Sequence, residues 1–138
     1  FNTSFPASVE EIIAAPLMTD KSLPFISPQI KNQVQKALEL VNLNGHQNAL
    51  IGNLSGGQCQ RVFLARTLVT EPEIIILDEP FVGIDEKSQQ SIAKTLSFLH
   101  RQGTTVVFVS HDLRWMIDKT DLILAVNEKK IKEYAKNS

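Results

Sequence analysis

The feature that most constrains the fold is a run of four aliphatic residues, Ile74-Ile75-Ile76-Leu77, that ends at an acidic pair and a proline. A short, continuously apolar, β-branched run is typical of a strand covered on both faces of a parallel sheet. Thr104 to Val109 and Leu122 to Val126 are runs of the same kind. The segments between them have helical spacing, and the sequence therefore predicts an α/β fold, a parallel sheet with flanking helices. The predicted helices are Gln58 to Val69, Glu86 to Arg101 and Asp112 to Lys119.

The first part of the chain has a different organisation, with helical patterns separated by prolines. Ser8-Val9-Glu10-Glu11 predicts the capped start of a short helix that continues through Ala15. Apolar residues at helical spacing predict a second helix from Pro28 to Val41. We therefore predict a small helical subdomain over residues 1–54, followed over residues 55–138 by a part of an α/β core.

Composition limits the classes of partner. Fourteen basic and fifteen acidic side chains give a formal net charge of -1, so no positive field exists to hold a nucleic acid backbone, and we expect no nucleic acid partner. Cys59, the single cysteine, and the three histidines have no metal-ligand spacing, and His46 and His100 are predicted as surface residues. No apolar run is long enough to cross a bilayer. We expect a cytosolic chain that does not insert into the membrane.

A glycine pair opens the helix that precedes the aliphatic run, within Leu54-Ser55-Gly56-Gly57-Gln58. Ser55 is a good N-cap, and Gly56 and Gly57 lack side chains that would keep an anion away from the first N–H groups of the helix. The helix N-terminus adds partial positive charge. The pattern favours an anion-binding turn, and the alternative is an ordinary loop-to-helix cap.

Polar side chains follow the ends of two predicted strands. Asp78 and Glu79 follow the first of them, and His111 follows the second. Ligands of open α/β sheets bind at the carboxyl edge, so we expect these three side chains to line a site there. The alternatives are that the two acids cap the following turn and that the histidine has a structural role.

The order of these pieces resembles the ATP-binding subunit of ABC transporters, whose domain is of the P-loop NTPase type. The likeness rests on motifs that stand in the same order in both: Leu54-Ser55-Gly56-Gly57-Gln58, Asp78-Glu79-Pro80, Val82-Gly83-Ile84-Asp85 and Ser110-His111-Asp112. The resemblance implies an ATPase that uses ATP and Mg²⁺ and works as a dimer with a second ATPase subunit.

The resemblance also implies a role for each motif. Ser55, Gly56, Gly57 and Gln58 would bind the γ-phosphate of ATP held by the second subunit. Asp85 lies in the loop that crosses the dimer interface, and it is equally a candidate N-cap of the helix through Arg101. Asp78 would hold Mg²⁺ through water, and Glu79 would orient and polarise the attacking water. His111 would sense the γ-phosphate.

One part of that family's site is missing from the 138 residues, namely a phosphate loop of the form G-x-x-x-x-G-K-[ST]. The chain also opens on Phe1, and we interpret it as a C-terminal part of an ABC ATPase. We expect the chain by itself to be inactive in ATP hydrolysis.

The start of the chain, Phe5-Pro6-Ala7-Ser8-Val9-Glu10, is similar to the stretch after the Q-loop in ATPases of zinc and manganese importers, although the glutamine itself is not present. The resemblance implies that residues around Phe5 to Pro16 face a groove for the coupling helix of a membrane permease, on the cytoplasmic face of the cell membrane.

Two other classes of function stay open. The chain is alternatively a noncatalytic interaction module that supplies Ser55 to Gln58 in trans to an intact ATPase. Chromosome-maintenance and break-repair ATPases share the motif Leu54 to Gln58, but there a long coiled coil precedes it. Here the residues before Leu54 show no sustained heptads, which disfavours that class.

Overall fold

The computed structural model of the chain describes residues 6–18, 26–111, 119–127 and 130–135. These residues form four α-helices and four β-strands, and three of the helices precede the first strand. The elements are α1 (Val9–Ala14), α2 (Pro28–Leu40), α3 (Gly56–Leu68), β1 (Ile74–Asp78), α4 (Glu86–Arg101), β2 (Thr105–Val109), β3 (Leu122–Asn127) and β4 (Lys130–Ala135). Short 3₁₀ turns lie at Ala15–Leu17 and Ile51–Asn53. Among the described helices, none is both long and apolar enough to span a bilayer.

Each α-helix begins at a polar N-cap whose side chain accepts a backbone N–H, and these caps are Ser8, Ser27, Ser55 and Asp85. Such caps satisfy a donor that has no partner within the helix, which is why the local sequence predicts the starts well. The helix predicted from Gln58 begins two residues earlier, at Gly56. The cap at Ser55 offsets the low helix propensity of the glycines in this first turn.

The chain from β1 through α4 to β2 is a parallel βαβ unit. The two strands pair in register from Ile74 opposite Thr105 to Asp78 opposite Val109. The parallel sheet and its flanking helices, predicted from the aliphatic runs, are therefore confirmed, and both strands end at the same level of the sheet.

The aliphatic run Leu122 to Val126 was predicted as a strand of the parallel sheet, and that pairing is wrong. β3 pairs antiparallel with β4 and forms a second two-stranded sheet within the described residues. β4 was not predicted as a strand because every residue in it is exposed, so its lysines and glutamate tolerate solvent and give no apolar pattern. The helix predicted over Asp112 to Lys119 lies almost wholly outside the described residues.

The hydrophobic core lies between the helices and one face of β1. Its fully buried side chains come from all four helices and from the first strand, and they include Ile13, Leu38, Val62, Ile75 and Ile92. Residues on both sides of position 54 contribute to this cluster. The division into residues 1–54 and 55–138 stays a prediction.

The opposite face of the parallel sheet is apolar and open to solvent. Ile74, Ile76, Val107 and Val109 point away from the core, and each is at least 46% exposed. The prediction that these strands are covered on both faces is wrong for this chain, because the helices of the described residues pack on the other face. A contiguous exposed apolar surface of this kind favours association.

We therefore expect the chain to self-associate at micromolar concentration. Light scattering should give a mass above the 15.4 kDa of one chain. Ile76→Lys should shift the population toward the monomer, because a lysine on this face opposes its burial against another copy. Lys94→Glu on the exposed side of α4 is the control and should leave the mass unchanged. A stable monomer for the unmodified chain would contradict this expectation.

Candidate functional site

The ends of β1 and β2 bring three of the predicted site residues together. Asp78 is the last residue of β1 and lies opposite Val109, the last residue of β2. The backbone N–H of Glu79 donates to the carbonyl oxygen of Val109 at 2.9 Å, which continues the strand pairing by one residue. His111 follows two residues after β2. We call Asp78, Glu79 and His111 the carboxylate edge.

Glu79 and His111 are in direct contact. The Nδ1 atom of His111 lies 2.7 Å from Oε1 of Glu79, a length typical of a charge-assisted hydrogen bond. The carboxylate accepts when Nδ1 carries the proton. Glu79 also has a left-handed backbone, with φ of 47°, which costs a residue with a Cβ about 1 kcal/mol or more. The backbone bond to Val109 and the side-chain bond to His111 hold Glu79 in this conformation despite that cost.

The carboxylate edge fits a magnesium ion by its donor atoms. Asp78 is exposed at the strand end, and Oε2 of Glu79 is buried without a hydrogen-bond partner in the described residues. Carboxylate oxygens are hard ligands that Mg²⁺ accepts, with water completing its shell. A buried carboxylate oxygen left without a partner is destabilising, and a water or cation beside it would remove that cost.

In the part of the chain that is described, side chains alone do not form a metal site, and a magnesium ion at the carboxylate edge would need water to complete its ligands. No group of three or more histidine, cysteine, aspartate or glutamate side chains there could hold a metal ion. Cys59 is half-buried, and that burial raises the pKa of its thiol. The thiol therefore stays protonated near neutral pH, the form that does not bind metals.

The first turn of α3 is a complete capping box. Oγ of Ser55 accepts the backbone N–H of Gln58 at 3.3 Å, and Oε1 of Gln58 accepts the backbone N–H of Ser55 at 2.8 Å. Ser55 and Gly56 are exposed. The cap uses the N–H of Gln58, so the N–H groups of the two glycines are the donors of this turn that remain for an anion. We call Ser55 to Gln58 the signature turn.

The two glycines of the signature turn have different surroundings. A Cβ atom built on Gly57 would clash with Oγ of Ser88, and it would lie 2.6 Å from Cβ of Ser88 and 3.1 Å from Oδ2 of Asp85. A Cβ atom built on Gly56 would meet only the carbonyl oxygen of Gly83, at 3.7 Å. The signature turn thus packs against the start of α4 and the loop before it. We call residues Val82 to Asp85 the interface loop.

Asp85 is the N-cap of α4, as one of its two predicted roles requires. Its Oδ1 accepts the backbone N–H of Ser88 at 2.9 Å, and its Oδ2 accepts the Ser88 hydroxyl at 2.7 Å. The hydroxyl bond and then the backbone bond hold the pKa of Asp85 below its ordinary value. The role of Asp85 at a dimer interface stays a proposal.

Removing the Ser88 hydroxyl should raise the pKa of Asp85 toward its ordinary value of 3.8. A lowered folded-state pKa stabilises the fold above the unfolded-state pKa, and this contribution is lost as the pH falls through the lowered value. Ser88→Ala should therefore move that loss to higher pH. Carboxyl ¹³C shifts followed by NMR measure the titration, with Ser97→Ala as control. An unchanged Asp85 titration in Ser88→Ala would show that the hydroxyl has no such effect.

The structure adds two residues that the sequence did not identify as part of the site. Nδ1 of His46 lies 3.2 Å from the carbonyl oxygen of Asn44, and Nε2 of His46 lies 3.3 Å from the side-chain amide nitrogen of Gln58. When the proton is on Nδ1, His46 donates to Asn44 and accepts from Gln58. Arg61 donates from Nε to the carbonyl oxygen of Gly57 and from Nη1 to that of Asn42. His46, predicted as a surface residue, is partly exposed, and one side of its ring lies against the signature turn.

The predicted site residues therefore fall into two groups. The signature turn contacts Asp85 through Gly57, and the carboxylate edge joins Glu79 to His111. Among the described residues, no hydrogen bond is observed between one group and the other. His100 belongs to neither group and pairs at the surface with Asp121 at 3.2 Å.

Known proteins with similar sequences include ATP-binding proteins of uptake, transport and import systems. The zinc uptake system ATP-binding protein ZurA of Listeria innocua is 38% identical over 131 residues, which are 94% of this chain and 51% of that protein. The manganese transport system ATP-binding protein MntB of Halalkalibacterium halodurans is 38% identical over 130 residues, which are 92% of this chain and 51% of that protein. The spermidine/putrescine import ATP-binding protein PotA of Acetivibrio thermocellus is 44% identical over 99 residues, which are 71% of this chain and 28% of that protein.

A solved structure agrees with these relatives. The dimeric structure of a bacterial ABC transporter cassette superposes with a TM-score of 0.79 at 26% identity, over 98% of this chain and 60% of that one. The chain spans about half the length of the zinc and manganese relatives. The α/β fold is thus that of an ABC ATPase cassette. With the family model for "ABC transporter" matching residues 2–82, the chain belongs to the ABC transporter family.

Proposed function

We propose that this chain carries the signature turn and the hydrolytic carboxylate of an ATP-binding subunit that drives import of a divalent metal ion, zinc or manganese. The observation that supports hydrolysis most directly is the 2.7 Å contact between Oε1 of Glu79 and Nδ1 of His111, next to Asp78 at the carboxyl edge of the parallel strands. An acidic oxygen fixed by a histidine is suited to orienting a water molecule.

Each residue of the carboxylate edge has a separate role in the proposed hydrolysis. ATP, when bound, would supply the γ-phosphoryl group that is transferred to water, and Mg²⁺ would neutralise the charge on its phosphates. His111 holds Oε1 of Glu79, so Oε2, which has no partner among the described residues, is the oxygen that receives a hydrogen bond from the water. Asp78, exposed beside it, would hold the magnesium ion through water.

The signature turn serves the second ATPase subunit. Its capping box fixes the first turn of α3 before any ligand arrives, so little order has to be gained on binding a phosphate. Ser55, Gly56, Gly57 and Gln58 would bind the γ-phosphate held by that subunit, with Asp85 beside them at the interface. The dimeric cassette that this chain resembles supports such an arrangement.

Alignment length supports metal import over polyamine import. The zinc and manganese relatives align over 94% and 92% of the chain, whereas the polyamine relative aligns over 71%. Residues from Phe5 to Pro16 would receive the coupling helix of the membrane permease. The chain would accordingly work in the cytoplasm, on the inner face of the cell membrane.

Complementation tests the substrate class. The chain is joined to an N-terminal segment of the family that contains the phosphate loop, and it is expressed in cells that lack their zinc-uptake ATPase. We expect growth under zinc or manganese limitation. The same fusion in cells that lack a polyamine-import ATPase should give no spermidine uptake. Polyamine uptake without metal uptake would contradict the proposed substrate.

A second function is supported by one observation, namely that the capping box forms the signature turn entirely from residues 55–58 of this chain. As a noncatalytic module, the chain would supply Ser55 to Gln58 in trans to an intact ATPase. Adding it to an ATPase whose own signature is mutated distinguishes the two functions. Rescued hydrolysis favours the module, and unchanged hydrolysis favours the subunit.

A further inference from the structure

Gly57 has no room for a side chain, and the obstacle is another part of the same chain. The Cβ of Ser88, 2.6 Å from the position of a Cβ on Gly57, is fixed by the backbone of α4 and cannot rotate away. Real Cβ atoms do not approach each other so closely, so one helix would have to shift. Both residues are buried.

Ser88 is held in this position by the interface loop. Asp85 accepts both the backbone N–H and the hydroxyl of Ser88, at 2.9 and 2.7 Å. Gln89, the next residue, donates from its amide nitrogen to the carbonyl oxygens of Phe81 and Ile84, at 3.1 and 3.3 Å. The first turn of α4 is therefore bonded to the loop on one side and packed against Gly57 on the other.

The neighbouring glycine shows that this contact is specific. Gly56 is exposed to solvent. A Cβ atom added to it would make only an ordinary van der Waals contact, with the carbonyl oxygen of Gly83. Only Gly57 is closed by α4. The two glycines of one motif thus meet different requirements, since Gly56 leaves access for a ligand and Gly57 allows close packing of two helix starts.

We propose that Ser88 is a positioning residue that couples the signature turn to the interface loop, through close packing on Gly57 and its bonds to Asp85. The two elements then move as one unit. The contact involves only residues of this chain. Only its consequence for a dimer rests on the proposed function: a shift at one element would reach the other within one chain.

Thermal unfolding of the full 138-residue chain tests the contact. Gly57→Ala should lower the melting temperature by about 6 °C, the effect of overpacking in a domain of this size. Ser88→Gly should lower it by about 3 °C through the lost hydroxyl bond and the added chain freedom. The double variant should lie near the Ser88→Gly value, because removing the Ser88 Cβ makes room for the new one. An additive loss of about 9 °C in the double variant would overturn the proposal.

Two controls separate close packing from other effects. Ser88→Ala keeps the Cβ and loses the hydroxyl, so it should fail to rescue Gly57→Ala. Gly56→Ala adds the same methyl group one residue away and should not lower the melting temperature. If Gly57→Ala does not fold, recovery of folding in Gly57→Ala/Ser88→Gly supports the contact, and failure of both overturns it.

Amide hydrogen exchange tests the coupling itself. Gly57→Ala should speed exchange in residues 82–85 about tenfold, because the loop loses its fixed support. The double variant should return these rates toward those of the unmodified chain. A lowered melting temperature with unchanged exchange in the loop would overturn the coupling. Neither measurement uses nucleotide, so a failure of the proposed ATPase function would leave both results interpretable.

Discussion

The 138-residue chain by itself should release no phosphate from ATP above background. It contains no G-x-x-x-x-G-K-[ST] loop, whose backbone N–H groups and lysine hold the phosphates in this family. If those groups make about four charge-assisted contacts of about 1.5 kcal/mol each, their absence removes about 6 kcal/mol, or about four decades of affinity. Glu79 would then have no γ-phosphate held in line with its water.

Two assays measure this expectation. Phosphate release is followed with and without magnesium, and ATP binding is followed by calorimetry up to millimolar nucleotide. Joining the chain to a segment with the phosphate loop should restore both. Magnesium-dependent hydrolysis by the chain alone, if lost in Glu79→Gln, would contradict the account.

In the fusion with the phosphate loop, Gly56→Asp should lower hydrolysis about a thousandfold without unfolding the chain. There is space for the new side chain, since the Cβ at this position meets only Gly83 O at 3.7 Å. Its carboxylate would stand where the signature turn receives a phosphate. Two negative charges about 4 Å apart near a protein surface repel by about 4 kcal/mol, which corresponds to about three decades in rate or affinity.

Gly56→Ala is the matched control for that result. It adds a methyl group without charge and should lower hydrolysis far less than Gly56→Asp does, because it introduces no charge repulsion. Circular dichroism and the melting temperature confirm that both variants fold. Hydrolysis by Gly56→Asp at the rate of the unmodified fusion would show that the signature turn does not meet a phosphate.

The sequence predicts those parts of the fold that depend on neighbouring residues. Ser8, Ser55 and Asp85 bond to groups three residues away, so the helix starts are visible in short patterns. The ends of β1 and β2 are visible because aliphatic runs stop at polar residues. The carboxylate edge follows from that, since parallel strands bring their carboxyl ends together.

Contacts between residues that are distant in sequence could not be predicted from such short patterns. Neither the bond from Gln58 to His46 nor the packing of Gly57 on Ser88 has a signal in the residues between them. The pairing of β3 with β4 was hidden because the charged residues of β4 are stable in solvent. The open apolar face of β1 and β2 was missed because a buried strand and an uncovered one share the same composition.

One kinetic comparison decides whether Glu79 orients the attacking water. The turnover number of the phosphate-loop fusion is measured for the unmodified chain, for Glu79→Gln and for the control Glu73→Gln at the exposed entry to β1. We expect a loss of at least about a hundredfold in kcat for Glu79→Gln, with little change in KM and no loss for Glu73→Gln. Equal turnover in all three proteins would contradict this role of Glu79.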